Sequence, residues 1–282
     1  MKLSRDDADV FVPDGVDIAE AMMRTTHMCV GAHQDDQEFM AYHGVTECFG
    51  KNDSWFGGVV VTNGAGSSRA GLYADYTDDE MKDIRRLEQR KAAVVGEYGF
   101  QFQLNHPSSF VKDPNAGVVI ADLTEIFLEA RPNVVYTHNP ADKHDTHVSV
   151  ALRTIAALRA LPEEARPEKV LGCEIWRSLD WLCDEDKQVM PVDSHPNLAA
   201  ALSGVFDSQI VGGKRYDAAV MGRRMANATF FESHQIDTCN ALAWGMDLTE
   251  LVRNPELDIV EFTLNYIERF KTDVTERIGK LI

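Results

Sequence analysis

Short apolar runs alternate with longer amphipathic segments along the first 160 residues of the chain. The runs are rich in β-branched and aromatic residues, which predicts buried strands at 27–31, 55–62, 100–104 and 134–137. The longer segments repeat their apolar residues at helical spacing, which predicts helices at 41–49, 77–98, 118–130 and 147–161. Strand and helix therefore alternate, and this pattern predicts an α/β fold with a mostly parallel sheet and helices on both faces.

The pattern continues less regularly beyond Pro162. Strands are predicted at 170–177 and 188–192, and helices at 196–206 and 216–231. For the last helix, Asn254 is the predicted N-cap and Pro255 the first residue, followed by apolar residues at helical spacing. No linker-like stretch divides the chain, so we expect a single domain over residues 1–282.

Composition narrows the possible partners and the compartment. The 282 residues are 44% hydrophobic, with a formal net charge of -17, and this charge argues against nucleic acid and anionic membranes as partners. The five cysteines form no Cys-x-x-Cys pair, which is typical of reduced cytosolic thiols. No apolar run reaches membrane-spanning length, so we expect a cytoplasmic protein that does not bind membranes.

Two polar segments directly follow predicted strands. Residues 31–38 read GAHQDDQE and residues 137–147 read THNPADKHDTH. The carboxyl ends of strands in an open α/β sheet form the usual ligand site. His33, Asp36 and His147 would give a catalytic zinc three ligands and leave a fourth position for water. Asp35 points elsewhere in the same turn and suits a base, and His144 lies one helical turn before His147.

These two segments resemble the paired signatures of the LmbE/PIG-L metal-dependent N-deacetylases. AHQDDQE is similar to Ala-His-Pro-Asp-Asp-x-Glu, and residues 138–147 are similar to His-x-x-x-Asp-x-His-x-Asp-His. The resemblance extends over about residues 25–210, which leaves a C-terminal helical extension at about 211–282. It implies a Rossmann-like fold and one Zn²⁺ per chain, with another divalent transition metal as the alternative.

The resemblance also implies roles for individual residues. His33, Asp36 and His147 would be the metal ligands, Asp35 the general base, and His144 the residue that stabilises the oxyanion or acts as acid. Glu38 would have a structural role near the turn, and Arg85 would hold the sugar or its substituent. Arg69, in the glycine-rich loop between a strand and the next helix, is a further candidate for binding substrate.

The chain departs from the family pattern at Thr146, which replaces the usual Asp before the second ligand histidine. Losing a carboxylate that orients a ligand typically costs about 10–100-fold in metal affinity or activity. Asp142 and Asp145 are both candidates to replace it. Gln34 replaces the usual Pro, a change for which we expect little effect.

The expected function is therefore zinc-dependent N-deacetylation of an N-acetylglucosamine-like amino sugar or its conjugate, with release of acetate. Alternatives are a metal hydrolase acting on a non-sugar amide, and a catalytically impaired sugar-binding homologue marked by Thr146. A dinucleotide-binding protein is disfavoured because two carboxylates, and no Gly-x-Gly-x-x-Gly, follow the first strand. The oligomeric state is left open, with a homo-oligomer as one alternative.

Overall fold

The computed structural model describes residues 1–282 and contains one eight-stranded sheet. The strands are β1 (Asp9–Phe11), β2 (Thr25–Gly31), β3 (Trp55–Thr62), β4 (Phe100–His106), β5 (Val134–His138), β6 (Lys169–Cys173), β7 (Lys187–Pro191) and β8 (Leu242–Asp247). Their spatial order is β1-β4-β3-β2-β5-β6-β8-β7. The five central strands, from β4 to β6, are parallel, and β1, β8 and β7 add antiparallel edges. The predicted mostly parallel α/β fold is confirmed.

The sheet changes direction of growth at β2. The chain adds β3 and β4 on one side of β2, then returns to add β5 and β6 on the other side. The pairing of β2 with β5 brings Val30 opposite Thr137, so these two strands end side by side. Ligands of open α/β sheets bind at such a switch point, beyond the carboxyl ends of the strands. The two polar segments predicted from the sequence both begin there.

Two apolar clusters lie on the two faces of the sheet. Because neighbouring residues of a strand point to opposite faces, Met28 and Val30 enter one cluster while Cys29 enters the other. β5 divides in the same way between Val135 and Tyr136. The first cluster has 34 buried residues and the second 20, so both faces of the sheet are covered.

Twelve α-helices surround the sheet. They are α1 (Ile18–Met23), α2 (Asp36–Met40), α3 (Tyr42–Cys48), α4 (Asp78–Val95), α5 (Ser108–Lys112), α6 (Gly117–Ala130), α7 (Asp145–Arg159), α8 (Pro196–Gly204), α9 (Asp207–Ile210), α10 (Tyr216–Phe230), α11 (Thr249–Arg253) and α12 (Ile259–Gly279). α4 begins with a capping box, in which Thr77 Oγ1 accepts from the Glu80 amide and Glu80 accepts from the Thr77 amide. No helix combines the length and the apolar character needed to cross a bilayer.

The structure corrects the sequence prediction in its last third. The segment 211–282, predicted to be helical, also supplies β8, which inserts between β6 and β7. Asn254 does not cap the last helix: its side chain accepts from the Glu256 amide in a local turn, and α12 begins five residues later, at Ile259. Asp258 is the N-cap instead, since its carboxylate accepts from the Glu261 amide. A side chain that can close its own turn competes with capping a helix.

Candidate active site

The turn between β2 and α2 aims its carboxylates at the carboxyl end of the sheet. Asp35 has a φ of 88°, a backbone conformation that is uncommon outside glycine and clusters at functional sites. Asp36 begins α2, and its Oδ2 accepts from the backbone amide of His33 at 2.6 Å. This hydrogen bond closes the turn, so His33 and Asp36 face one point while Asp35 projects beside them.

Donor atoms of three residues meet at that point, with one oxygen of the Asp36 carboxylate next to each histidine. His33 Nδ1 lies 3.3 Å from Asp36 Oδ2, His147 Nε2 lies 3.5 Å from Asp36 Oδ1, and the two nitrogens are 3.2 Å apart. Zinc ligands at about 2.1 Å in a tetrahedron stand about 3.4 Å from one another. The residues present therefore fit a zinc ion in both donor type and spacing. The donor atoms of His33, His144 and His147 also lie within 4.8 Å of one another, so His144 is a further candidate ligand.

Asp142 supplies the carboxylate that Thr146 lacks. Its Oδ2 lies 3.0 Å from Nδ1 of His147, and its Oδ1 accepts from the backbone amides of Lys143 and Arg177. When Asp142 accepts a hydrogen bond from Nδ1–H of His147, the lone pair of that ring is on Nε2, the atom that faces His33 and Asp36. Asp145, the other candidate from the sequence, is exposed on the first turn of α7. The departure at Thr146 therefore leaves the ligand histidine with a carboxylate partner.

His138 is a site residue to which the sequence analysis gave no role. It ends β5, is fully buried, and its Nε2 lies 3.3 Å from Asp36 Oδ2 and accepts from the Ala32 amide at 2.9 Å. Its ring stacks on that of His147 with centroids 4.0 Å apart. The available signal was its place as the first histidine of the second signature.

The pKa shifts of His147 and Asp36 suit a metal, which binds neutral imidazole and ionised carboxylate. Burial lowers the pKa of His147 to about 3. Burial acts to raise the pKa of Asp36, but His147 and His138 hold it well below its ordinary value. For Asp35 burial prevails over the opposing Arg85 and raises the pKa of that carboxyl well above its ordinary value.

Arg85 organises the side of the site next to Asp35. It is 4% exposed, and its guanidinium donates to the Gln34 carbonyl at 2.6 Å, contacts Ser67 Oγ and lies 3.6 Å from Asp35 Oδ2. The loop that carries Ser67 needs Gly64, which has a φ of +71° and whose added Cβ would lie 2.9 Å from Arg85 Cδ. Arg85 therefore positions Asp35 and the loop, and it also lines the cavity.

The site opens into a cavity of about 630 Å³, within the usual range for small-molecule sites. His33, Asp35, Asp36, His144, Thr146 and His147 are at its base. His144 stacks on His147 at 4.5 Å between centroids, and burial lowers its pKa.

The outer wall of the cavity comes from residues that no sequence pattern indicated. Trp176 follows β6, whereas Lys214, Tyr216 and Arg223 come from α10 and the segment before it. The rings of Trp176 and Tyr216 are perpendicular, 6.1 Å apart, and Lys214 Nζ lies 5.0 Å from the centre of the Trp176 ring.

Two other predicted site residues do not line the cavity. Arg69 is turned toward Asp78 and the Ala65 carbonyl, with which it makes hydrogen bonds. Glu38 lies under the site, where its Oε1 accepts from Tyr98 Oη and from Gln89 Nε2, both at 2.8 Å. Gln89 in turn accepts from the Asp35 amide, which links Glu38 to the strained turn.

Several solved structures share this fold. The chain is similar to the N,N'-diacetylchitobiose deacetylase of Pyrococcus horikoshii, with a TM-score of 0.63 and 15% identity over 82% of this chain and 86% of that one. It is similar to the 4-carboxy-2-hydroxymuconate hydratase of Pseudomonas putida KT2440, with a TM-score of 0.60 and 16% identity over 80% and 96% of the two chains. For the zinc-inhibited form of teicoplanin deacetylase the values are 0.54 and 14% over 78% and 97%. At these identities the likeness establishes the fold alone.

The family comparison concerns the part of the chain that contains the candidate metal ligands. No curated protein matches the sequence. Residues 28–158 match the family model described as PIG-L: GlcNAc-PI de-N-acetylase, and this range includes β2, β5 and both polar segments. This match confirms, over residues 28–158, the resemblance to the PIG-L (LmbE-like) family noted in the sequence.

Proposed function

We propose that this protein is a zinc-dependent N-deacetylase that hydrolyses the acetamide of an N-acetylglucosamine-like amino sugar or its conjugate and releases acetate. One observation carries the proposal. Donor atoms of His33, Asp36 and His147 lie 3.2–3.5 Å from one another at the base of a cavity that Asp35 also lines. The family match over these residues and the fold shared with two deacetylases support the same reaction class.

His33, Asp36 and His147 would hold the ion, and Asp142 would keep His147 in the required tautomer. Zinc supplies a Lewis acid and lowers the pKa of bound water from 15.7 to about 7. Asp35 would take the proton from the attacking water, because it lines the same cavity next to the proposed ligand Asp36. Arg85, whose Nη2 lies 3.6 Å from Asp35 Oδ2, would help to hold the Asp35 carboxyl in place.

His144 is the remaining polar side chain proposed to act on the substrate. It lines the cavity, its ring is 5.2 Å from that of His33, and its Nδ1 is buried without a hydrogen-bond partner. A donor there can stabilise the oxyanion that forms at the amide carbonyl and pass a proton to the leaving amine. Such a donor typically lowers the activation barrier by about 2.7–4 kcal/mol.

The outer wall indicates the kind of substrate. The half-buried ring of Trp176 offers an apolar face for a sugar ring, and Lys214 and Arg223 place two cations on the same wall. We therefore infer an amino sugar whose conjugate carries an anionic group. Of the two arginines considered for binding substrate, Arg85 lines the cavity, whereas Arg69 does not and pairs with Asp78.

The test is metal analysis of purified protein, followed by assays of acetate release from neutral and anionic N-acetyl amino sugars. We expect about one zinc per chain and activity that a chelator abolishes and zinc restores. Because one fold hosts different chemistries, simple N-acetyl amides and an unsaturated hydroxy acid are included as substrates. Activity on either of these alone, or equal acetate release by the Asp35→Asn variant, would contradict the proposal.

A further inference from the structure

The outward face of α12 carries an apolar stripe that nothing in the structure covers. Its positions are separated by alternating steps of four and three residues: Val260, Leu264, Ile267, Lys271, Val274 and Ile278. Five of the six are apolar and all six are exposed, with Val260 at 65% and Ile278 at 54%. This seven-residue repeat is the a/d pattern by which two helices pack together, and a single lysine within it is a known device for selecting the pairing.

The stripe is distinct from the face that attaches α12 to the domain. Phe262 and Tyr266 pack against the first core cluster, and Arg269 pairs with Asp186 at 2.6 Å. At 100° per residue these side chains lie on the side of the helix opposite Lys271. From Lys271 to Gly279 no side chain is buried. A helical end with so little tertiary support is marginal in water by itself.

We propose that α12 pairs antiparallel with α12 of a second copy of this chain, forming a dimer along the stripe. At 1.5 Å per residue the helix is about 31 Å long, which allows three layers of side chains on each side of a central twofold axis. Val260 would then face the partner's Ile278, Leu264 the partner's Val274, and Ile267 the partner's Lys271. Each helix supplies the same set of residues, so the contact closes as a twofold dimer.

The charges of α12 support this occupant and this direction. Residues 259–268 contain two acids, Glu261 and Glu268, and no base, whereas residues 269–280 contain four bases and two acids. Antiparallel pairing therefore sets a half with a net charge of -2 against a half of +2. Parallel pairing would oppose Lys271 to its own copy. An anionic membrane is a poor alternative, because residues 259–280 together have no net charge and the chain carries -17.

The antiparallel arrangement also gives Lys271 a charged environment. Its Nζ already lies 2.9 Å from Glu268 of the same helix. Near the twofold axis each lysine would stand close to two glutamates, one from each chain. The single polar position of the stripe would therefore be neutralised at the centre of the dimer.

The first test is the mass of the full chain in solution, measured by sedimentation equilibrium. We expect two chains for the wild type and one chain for Ile267→Glu/Val274→Glu. The control Asn265→Glu/Thr272→Glu adds the same charge to exposed positions of α12 off the stripe and should remain a dimer. Circular dichroism should show folded protein in all three. A single-chain wild type at every soluble concentration, or a dimer that survives the stripe glutamates, would overturn the proposal.

Two further experiments keep the test decisive if the glutamates unfold the protein. Lys271→Leu makes the stripe fully apolar, so the dimer dissociation constant should fall; an unchanged constant would count against the stripe. Direction is tested by disulfide formation in a background with Cys183→Ser and Cys239→Ser, which removes the two cysteines that are not buried. Val260→Cys mixed with Ile278→Cys should cross-link, and Ile278→Cys alone should not. The reverse result would exclude antiparallel pairing.

Discussion

The side chains at the base of the cavity are held more firmly than those of its outer wall. At the base, each functional side chain has a polar partner: Asp36 accepts from the His33 backbone amide, His147 contacts Asp142, and Asp35 lies beside Arg85. On the wall, Trp176 and Tyr216 are half-buried and Lys214 is exposed, with an aromatic contact as its main restraint. Chemistry requires the base to stay rigid, whereas the wall can change with the substrate. Variants of the base should therefore alter metal binding or turnover, and variants of the wall should alter the Michaelis constant.

The largest effect is expected at His147, the proposed metal ligand supplied by α7. His147→Ala removes one of three donors and leaves Asp142 without its hydrogen-bond partner. We expect the zinc content of the purified variant to fall close to zero and acetate release to fall to background. Asp145→Asn, an exposed change two residues away on the same helix, should retain both. Full zinc occupancy in His147→Ala would remove His147 from the ligand set.

Asp35 should separate chemistry from metal binding. Asp35→Asn keeps a residue that tolerates the φ of 88° but loses the ability to accept a proton. We expect unchanged zinc content and a fall in turnover of about 10²–10⁴-fold, the usual contribution of a general base. Turnover near that of the wild type would show that another group accepts the proton.

The base was predictable because its residues lie close together in sequence. His33, Asp35 and Asp36 occupy one turn, and the residues from His138 to His147 occupy one segment after the next strand in the sheet. The alternation of strands and helices predicted a parallel sheet, and the pairing of β2 with β5 in that sheet brings the two segments together. What the sequence left open was which carboxylate faces His147, because the path of the chain between Asn139 and His144 has no periodic pattern.

The wall was not predictable for the opposite reason. Trp176 lies beyond a strand, while Tyr216 and Arg223 come from a helix whose facing direction is set by packing and not by a motif. β8 was missed on similar grounds, because Leu242–Asp247 reads LAWGMD, with an alanine and a glycine that weaken a strand pattern. Its place between β6 and β7 depends on partners that are more than 50 residues away.

Asp142 should have an intermediate effect. Asp142→Asn can still accept from His147 Nδ1 but loses its charge, so zinc affinity should fall by about 10–100-fold. The exposed Asp145→Asn makes the same change of charge and is the matched control. Thr146→Asp restores the residue usual in the family. It should change zinc affinity little, because Asp142 already provides the carboxylate partner of His147. A large gain in affinity with Thr146→Asp would mean that Asp142 is a poor substitute.

The smallest effects belong to the wall and concern substrate selection. Trp176→Ala removes a ring that a sugar can stack on, and such contacts contribute about 0.5–1.5 kcal/mol beyond buried area. The Michaelis constant should rise by about 2–10-fold with turnover unchanged, because an interaction of this kind is made equally in the ground and transition states. A fall in turnover with an unchanged Michaelis constant would place Trp176 in the chemistry instead.

Lys214 tests the charge of the substrate on the same wall. Lys214→Met retains an unbranched side chain of similar reach and removes the charge. An exposed ion pair contributes about 0.2–1 kcal/mol and is screened by salt. The Michaelis constant for an anionic conjugate should therefore rise by less than about 5-fold, and by less still at high salt. For the neutral sugar it should not change. Arg86→Met, which removes an equal charge outside this cavity, is the control. If Lys214→Met and Arg86→Met raised the Michaelis constant for the anionic conjugate equally, the preference for an anionic conjugate would be a property of the net charge and not of this wall.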